Sequence, residues 1–292
     1  MAEPEKRFES HQDPFILSNG VGIPCVGFGT WRIPPGQDTV NAVSEAIRLG
    51  YRHFDTAKVY NNEESVGVAV RNSNVPREQI FVTTKLWNEN KTRSSVLEAF
   101  ETSMANLGLE YLDLYLLHWP AVEKTDGENW RAVNIEKWRA LESLYKDGRI
   151  RAIGVSNFLP HHLQALMDEA EIVPMVNQLE IHLGFPQKET VDFCLAHDIR
   201  PQAWSPIARG LVLGESTLIS IAEKLRRTPA QICLRWILQN GVIPLPRSQK
   251  PERMAENAAI FDFTISASDM EALDALPPCG GSCSNPDERT ED

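Results

Sequence analysis

The chain has 292 residues, 42% hydrophobic and 24% charged, with 29 Lys+Arg against 40 Asp+Glu and a formal charge of −11. That is the composition of a globular protein with a full core, and its acidic balance argues against a surface built for a phosphate backbone, so no nucleic-acid partner is expected. No run approaches the roughly 20 apolar residues of a membrane span and the opening MAEPEKRFES has no apolar leader, so no membrane partner is expected and a cytoplasmic location is.

Leu17-Ser18-Asn19-Gly20-Val21 carries an Asn-Gly hairpin signal, a candidate plug for the N-terminal mouth of whatever follows. Short β-rich runs then recur at 25–28, 53–55, 80–84, 112–117, 150–155, 175–179, 199–204 and 242–245. Helical patterns lie between most of them. Asp38 is placed to cap a helix with Val40, Val43 and Ile47 on one face, and Ser95-x-x-Glu98 has the form of a capping box. Thr228-Pro229-Ala230-Gln231 supplies cap, proline and matching glutamine, with Gly241 as the stop.

The strand runs are continuously apolar, as strands buried on both faces are, which predicts a parallel sheet covered by helices. Eight βα units fit a closed (β/α)8 TIM barrel. A doubly wound sheet usually shows G-x-G-x-x-G after its first strand, and Gly20, Gly22, Gly27 and Gly29 do not spell it. The expectation is one α/β barrel domain over 1–292, with an N-terminal β-hairpin, an ordered core over about 15–276 and a short loose tail over 277–292.

Barrel active sites lie at the C-terminal ends of the strands. Those ends carry Asp55 with Tyr60 after it, Lys85, His118, Ser156-Asn157, Gln178, Glu180, Trp204-Ser205 and Arg247-Ser248. A phenol is a reluctant acid at neutral pH, and a cationic lysine beside it favours proton release. An aspartate would hold that lysine, and a neutral histidine would orient a substrate oxygen. Such a set protonates a carbonyl oxygen while a cofactor delivers hydride, which no side chain can supply. Each residue alone also has a structural explanation: a cap, a buried ion pair, a core corner.

Gly27-Phe28-Gly29-Thr30-Trp31, GYRHFDTAKVYNNEESVG, FVTTKLW, LGLEYLDLYLLHWP, GRIRAIGVSNF, PMVNQLEIH, AWSP and IPLPRSQKPERMAEN span nearly the whole chain. Together they resemble the aldo-keto reductase superfamily, in the manner of its short-tailed, microbial-type aldehyde, 2-oxoaldehyde and diketo-gluconate reductases. The resemblance implies NADPH extended across the C-terminal face of the barrel and a small carbonyl substrate. It implies Tyr60 as general acid, Lys85 and Asp55 tuning it, and His118 orienting the carbonyl. Ser156, Asn157 and Gln178 would hold the nicotinamide carboxamide, and Trp204, where tyrosine is more usual, would stack on the ring, with Ser205 beside it. Arg247 stands where the family usually has lysine; with Ser248 and Arg253 it would bind the 2′-phosphate, and Glu256 and Asn257 the adenine.

The polar 120–135 loop and a tail without aromatic residues predict an open pocket lined by Trp31, Val59, Trp87 and Trp119, tolerant of small and medium aldehydes and reactive ketones. Leu183-Gly184 replaces the family's common His-Pro. Metal is not expected: Cys279-x-x-x-Cys283 lacks two further ligands, His161-His162 reads as a solvated first helical turn, and VGFGTW has no His-x-His. An odd count of five cysteines suits a reducing compartment. A monomer is expected. A non-catalytic NADPH-binding redox-sensing subunit is the alternative, and a metal-dependent barrel hydrolase a third, disfavoured reading.

Overall fold

The structure, a computed structural model, describes residues 8–278 and 280–289. Cys279 and the first seven residues, on which parts of the sequence reading fell, lie outside them. A hairpin of β1 (Pro14–Ile16) and β2 (Gly22–Pro24) leads the chain, paired antiparallel with Phe15 opposite Ile23. Its contacts place it at the N-terminal ends of the barrel strands. Asn19 Nδ2 donates to the Arg151 carbonyl, a His53 ring nitrogen meets the Pro24 carbonyl, and the Arg200 guanidinium lies 4.3 Å from the Phe15 ring centroid.

Eight parallel strands follow in chain order: β3 (Phe28–Gly29), β4 (His53–Asp55), β5 (Phe81–Leu86), β6 (Leu112–Leu117), β7 (Ile150–Ser156), β8 (Val176–Glu180), β9 (Arg200–Trp204) and β10 (Ile243–Pro244). The first meets the last. Gly27 N–H donates to the Pro244 carbonyl and Gly29 N–H to that of Pro246, both at 3.0 Å. A Cβ on Gly27 would stand 2.4 Å from Leu245 Cδ2 and 2.8 Å from His53 Nδ1, so closure at this seam requires glycine. Every residue of β5 and β6 is buried, which explains their lack of polar alternation.

The helices are α1 (Gln37–Arg48), α2 (Glu63–Arg71), α3 (Arg93–Leu107), α4 (Glu123–Asp126), α5 (Trp130–Lys146), α6 (Pro160–Met167), α7 (Lys188–Ala196), α8 (Ser216–Leu225), α9 (Pro229–Gln239), α10 (Pro251–Ala258) and α11 (Ala267–Asp274). None among the described residues is long and apolar enough to cross a membrane. Thr228 and Gln231 cap α9 reciprocally, as expected. Two expected caps fall elsewhere. Gly36, not Asp38, precedes α1, and Asp38 lies in its first turn. Thr92 caps α3 with Ser95 as its partner, because the helix begins three residues before Ser95-x-x-Glu98 could start one.

The tail also departs from expectation, because several of its polar residues are individually tied down. Ser282 donates from its backbone and its hydroxyl to the two Glu180 oxygens, at 2.7 and 2.6 Å. A Cβ on Gly281 would be 2.2 Å from His182 Nε2, so glycine lets the strap lie against β8's end. Further on, Asp287 Oδ1 meets His161 and His162, Lys124 donates to the Glu288 carbonyl and Pro286 is buried. The segment is a strap across the C-terminal mouth.

Candidate active site

Asp55 ends β4, and the chain turns through a short 3-10 segment (Lys58–Tyr60) that brings Tyr60 back over the barrel. β5 runs to Leu86, past the expected end at residue 84, so Lys85 sits on the strand and beside Leu116 of β6. Its ammonium, fully buried, donates to Asp55 Oδ1 at 2.7 Å, the Thr56 carbonyl at 2.8 Å and Tyr60 Oη at 3.4 Å. Gln178 Nε2 donates to the other Asp55 oxygen at 2.8 Å and to Gln202 Oε1 at 2.9 Å. The carboxylate is thereby fixed from both sides.

Burial, and then the Asp55 charge, push the Tyr60 phenol well above its ordinary pKa. The lysine effect expected from sequence does not prevail, because Asp55 largely neutralises the ammonium and an enclosed phenolate is poorly solvated. Burial pulls Lys85 below its ordinary value, against the opposing pull of Asp55. Burial also takes His118 well below its ordinary value, helped by the cations Lys85 and Arg289. Tyr60 is thus held protonated and His118 neutral through physiological pH. Their rings meet edge to face at 5.8 Å, and His118 Nδ1 is buried with no hydrogen-bond partner among the described residues.

Asn157, in the left-handed region at φ 63°, donates through Nδ2 to the His118 carbonyl and Ser156 Oγ, and accepts from Trp204 Nε1. Ser205, Ala208 and Arg209 share that strained region at the end of β9. Such outliers persist only where surrounding structure over-determines them, and they cluster at sites. One cavity of about 1050 Å³ collects Asp55, Tyr60, His118, Ser156, Asn157, Gln178, Trp204 and Ser205 with the four rim residues Trp31, Val59, Trp87 and Trp119, then runs to Arg247, Ser248, Arg253, Glu256 and Asn257. Of the sequence-chosen residues, Lys85 and Glu180 do not line it.

Residues 25–277 match the model of the Aldo/keto reductase family. The chain belongs to that family. It is 47% identical over 279 residues to a glyoxal reductase of Bacillus subtilis, covering 96% of this chain and 98% of that relative. A methylglyoxal reductase DkgA of Escherichia coli is 39% identical over 262 residues, covering 89% and 92%. A crystal structure of a Gox0644 variant in complex with NADPH has a TM-score of 0.87 at 40% identity, covering 96% and 99%.

The residues present fit the dinucleotide of an aldo-keto reductase. Trp204 is half-buried on the cavity wall with its indole N–H engaged, which fixes the plane of its ring. Gln178 makes its hydrogen bonds through Nε2 and retains Oε1 as an acceptor. Arg253 is exposed and makes no hydrogen bond to the described residues, whereas Arg247 Nη2 is tied to the Arg32 carbonyl and Gln249 Oε1. Thr228 Oγ1 donates to Glu256 Oε1 at 2.6 Å, joining the start of α9 to the second half of α10.

Sequence reasoning missed Arg32, Arg209 and Arg289. The first two guanidiniums lie 4.2 and 5.1 Å from the Trp31 ring centroid. Arg289 comes from the strap, so the rim is more closed than a tail without aromatic residues suggested. His161, His162 and Asp287 form a cluster of metal-ligand type. His162, expected to be solvated, is buried, and its Nδ1 accepts from Leu159 N–H at 3.1 Å. Its proton therefore sits on Nε2, pointed at Asp287 Oδ1 3.0 Å away, which makes the pair a clasp for the strap. His182 and Phe185 form a bridge around Leu183-Gly184, and Gly184 takes φ 79° at this turn.

Proposed function

We propose that the protein is an NADPH-dependent reductase of aldehydes and reactive ketones, 2-oxoaldehydes among them, acting as a monomer in the cytoplasm. The observation that carries this reading is the protonated Tyr60 phenol 3.4 Å from a lysine locked to Asp55, with neutral His118 against its ring. The names of the B. subtilis and E. coli relatives support the substrate class. NADPH, when bound, supplies the hydride. Trp204, Ser156, Asn157 and Gln178 hold its nicotinamide end, with Ser205 beside them. Arg253, Arg247 and Ser248 hold the 2′-phosphate, and Glu256 and Asn257 the adenine end.

The carbonyl oxygen lies between Tyr60 and His118. Neutral His118 offers an N–H that orients it, and Tyr60 Oη gives up its proton as negative charge grows there. The Lys85 ammonium already donates to that phenolic oxygen, so it stabilises the phenolate left behind. Asp55 keeps the ammonium in place. Trp31, Val59, Trp87 and Trp119 supply apolar rim for the substrate's body.

The test is the loss of NADPH absorbance with glyoxal, methylglyoxal, simple aldehydes, ketones and aldoses. Aldehydes and 2-oxoaldehydes are expected to be consumed fastest. Flat traces across the panel, with NADPH demonstrably bound, would replace this reading with the non-catalytic redox-sensing subunit.

A further inference from the structure

Gln202 lies on β9, fully buried, in register with Gln178 of β8 on one side and Ile243 of β10 on the other. It does not line the cavity. Its Oε1 accepts from Gln178 Nε2 at 2.9 Å, and the same nitrogen donates to Asp55 Oδ2 at 2.8 Å. A carboxylate paired with the Lys85 ammonium only accepts, so Gln178 must turn its nitrogen toward Asp55. Gln202 must then turn its oxygen toward Gln178, because two amide nitrogens cannot bond to each other. Both amides are thereby fixed in one orientation. The two hydrogens of Gln178 Nε2 are used within the protein, and Oε1 is the polar atom of that side chain left for a ligand.

Gln202 gains little stability for itself from this position. Its Nε2 is buried without a hydrogen-bond partner among the described residues. A buried donor left unpaired destabilises a fold, and an apolar side chain of the same length would avoid the penalty. Fold stability therefore does not account for an amide here, whereas its accepting oxygen does something that no apolar side chain can. We propose that Gln202 is a positioning residue for the nicotinamide end of the cofactor, acting through Gln178. By holding the second hydrogen of Nε2 it sets the plane of the Gln178 amide and keeps Oε1 available to the carboxamide. Without Gln202, the Gln178 amide keeps only its bond to Asp55 and is free to twist about it. An amide set in advance needs no ordering when the cofactor binds. The proposal rests on the reading above that Gln178 holds the carboxamide, and the variants below separate the two.

The test is calorimetric titration of wild type, Q202M, Q178M and the double variant with two ligands. One is NADP+; the other is adenosine 2′,5′-bisphosphate, which has the adenine and the 2′-phosphate but no nicotinamide. Methionine matches glutamine in length and offers no comparable acceptor. Q202M is expected to weaken NADP+ about three- to tenfold, the range for one neutral hydrogen bond, and to leave the bisphosphate within about twofold. In the Q178M background Q202M is expected to add nothing, because its effect passes through Gln178. Urea unfolding of Q202M is expected at or above the wild-type midpoint. NADP+ binding unchanged in Q202M but weakened in Q178M would overturn the proposal and leave the reading of Gln178 standing. No loss in Q178M would overturn both. Full additivity of the two substitutions, or equal losses for the two ligands, would make Gln202 a structural residue of the barrel and refute the proposal.

Discussion

At the residue scale, the division of labour between Tyr60 and His118 follows from which proton each can hold. The phenol is kept protonated and the imidazole neutral, so only Tyr60 has a proton to give when the carbonyl oxygen becomes basic. Tyr60→Phe is expected to leave NADPH affinity nearly intact and to lower kcat by about 10²-fold or more, since the lost contact forms only as charge develops. A variant keeping a third of wild-type kcat, with chemistry rate-limiting, would move the acid elsewhere. Arg253 and Arg247 differ in the same practical way. Arg247 is already bonded to the Arg32 carbonyl, while Arg253 is uncommitted, so Arg253 is expected to carry more of the 2′-phosphate contact. At roughly 1.5–3 kcal/mol for a charge-assisted bond, Arg253→Ala should weaken NADPH by one to two orders of magnitude and barely affect NADH. Fluorescence titration of both cofactors decides between that and a role in loop folding, which would weaken both equally.

At the scale of elements, the site is assembled by strand ends and by how neighbouring helices start. Thr228 illustrates the second. Its hydroxyl accepts from Gln231 N–H to cap α9 and donates to Glu256 in the second half of α10, so one side chain sets a helix start and ties it to the neighbouring helix beside the cavity. Thr228→Ala is expected to lower unfolding free energy by about 1 kcal/mol, the usual worth of such a cap, and Thr228→Ser to restore it. Urea unfolding measures both, and an unchanged midpoint in the alanine variant would show the cap to be idle. The strap illustrates a different rule. It has almost no apolar core of its own, yet Ser282 and Asp287 find buried or half-buried partners on the barrel rim.

At the scale of the whole molecule, several histidines are buried as neutral rings. Burial takes His53 and His162 down to about 4 and His118 well below its ordinary value. The unfolded chain protonates these rings near pH 6.5, so below that pH it binds more protons than the folded chain does. Stability present above about pH 6.5 should therefore fall as pH drops toward 4, by roughly 2 kcal/mol at pH 5 for a fully buried ring such as His53. Urea unfolding at pH 7 and pH 5 checks this. Equal stability at both would mean that the rings keep their ordinary pKa.

The family, the βαβα alternation and the residues at the strand ends were legible in the sequence, because buried parallel strands must be apolar and any polar residue at their ends stands out. The Thr228 cap was legible for a similar reason: it is a local pattern with one geometry. The caps of α1 and α3 were misjudged by a few residues, since several polar residues competed and only packing selects among them. The direction of the Tyr60 shift was beyond the sequence too. It depends on how far Asp55 cancels Lys85 and how completely the phenol is enclosed, and both are distances in three dimensions. The strap was the largest departure. Composition describes what a segment can bury by itself, and SCSNPDER can bury little; only tertiary structure brings Glu180, His162, Trp87 and Trp119 within reach of it and sets the Arg289 guanidinium over the substrate cavity.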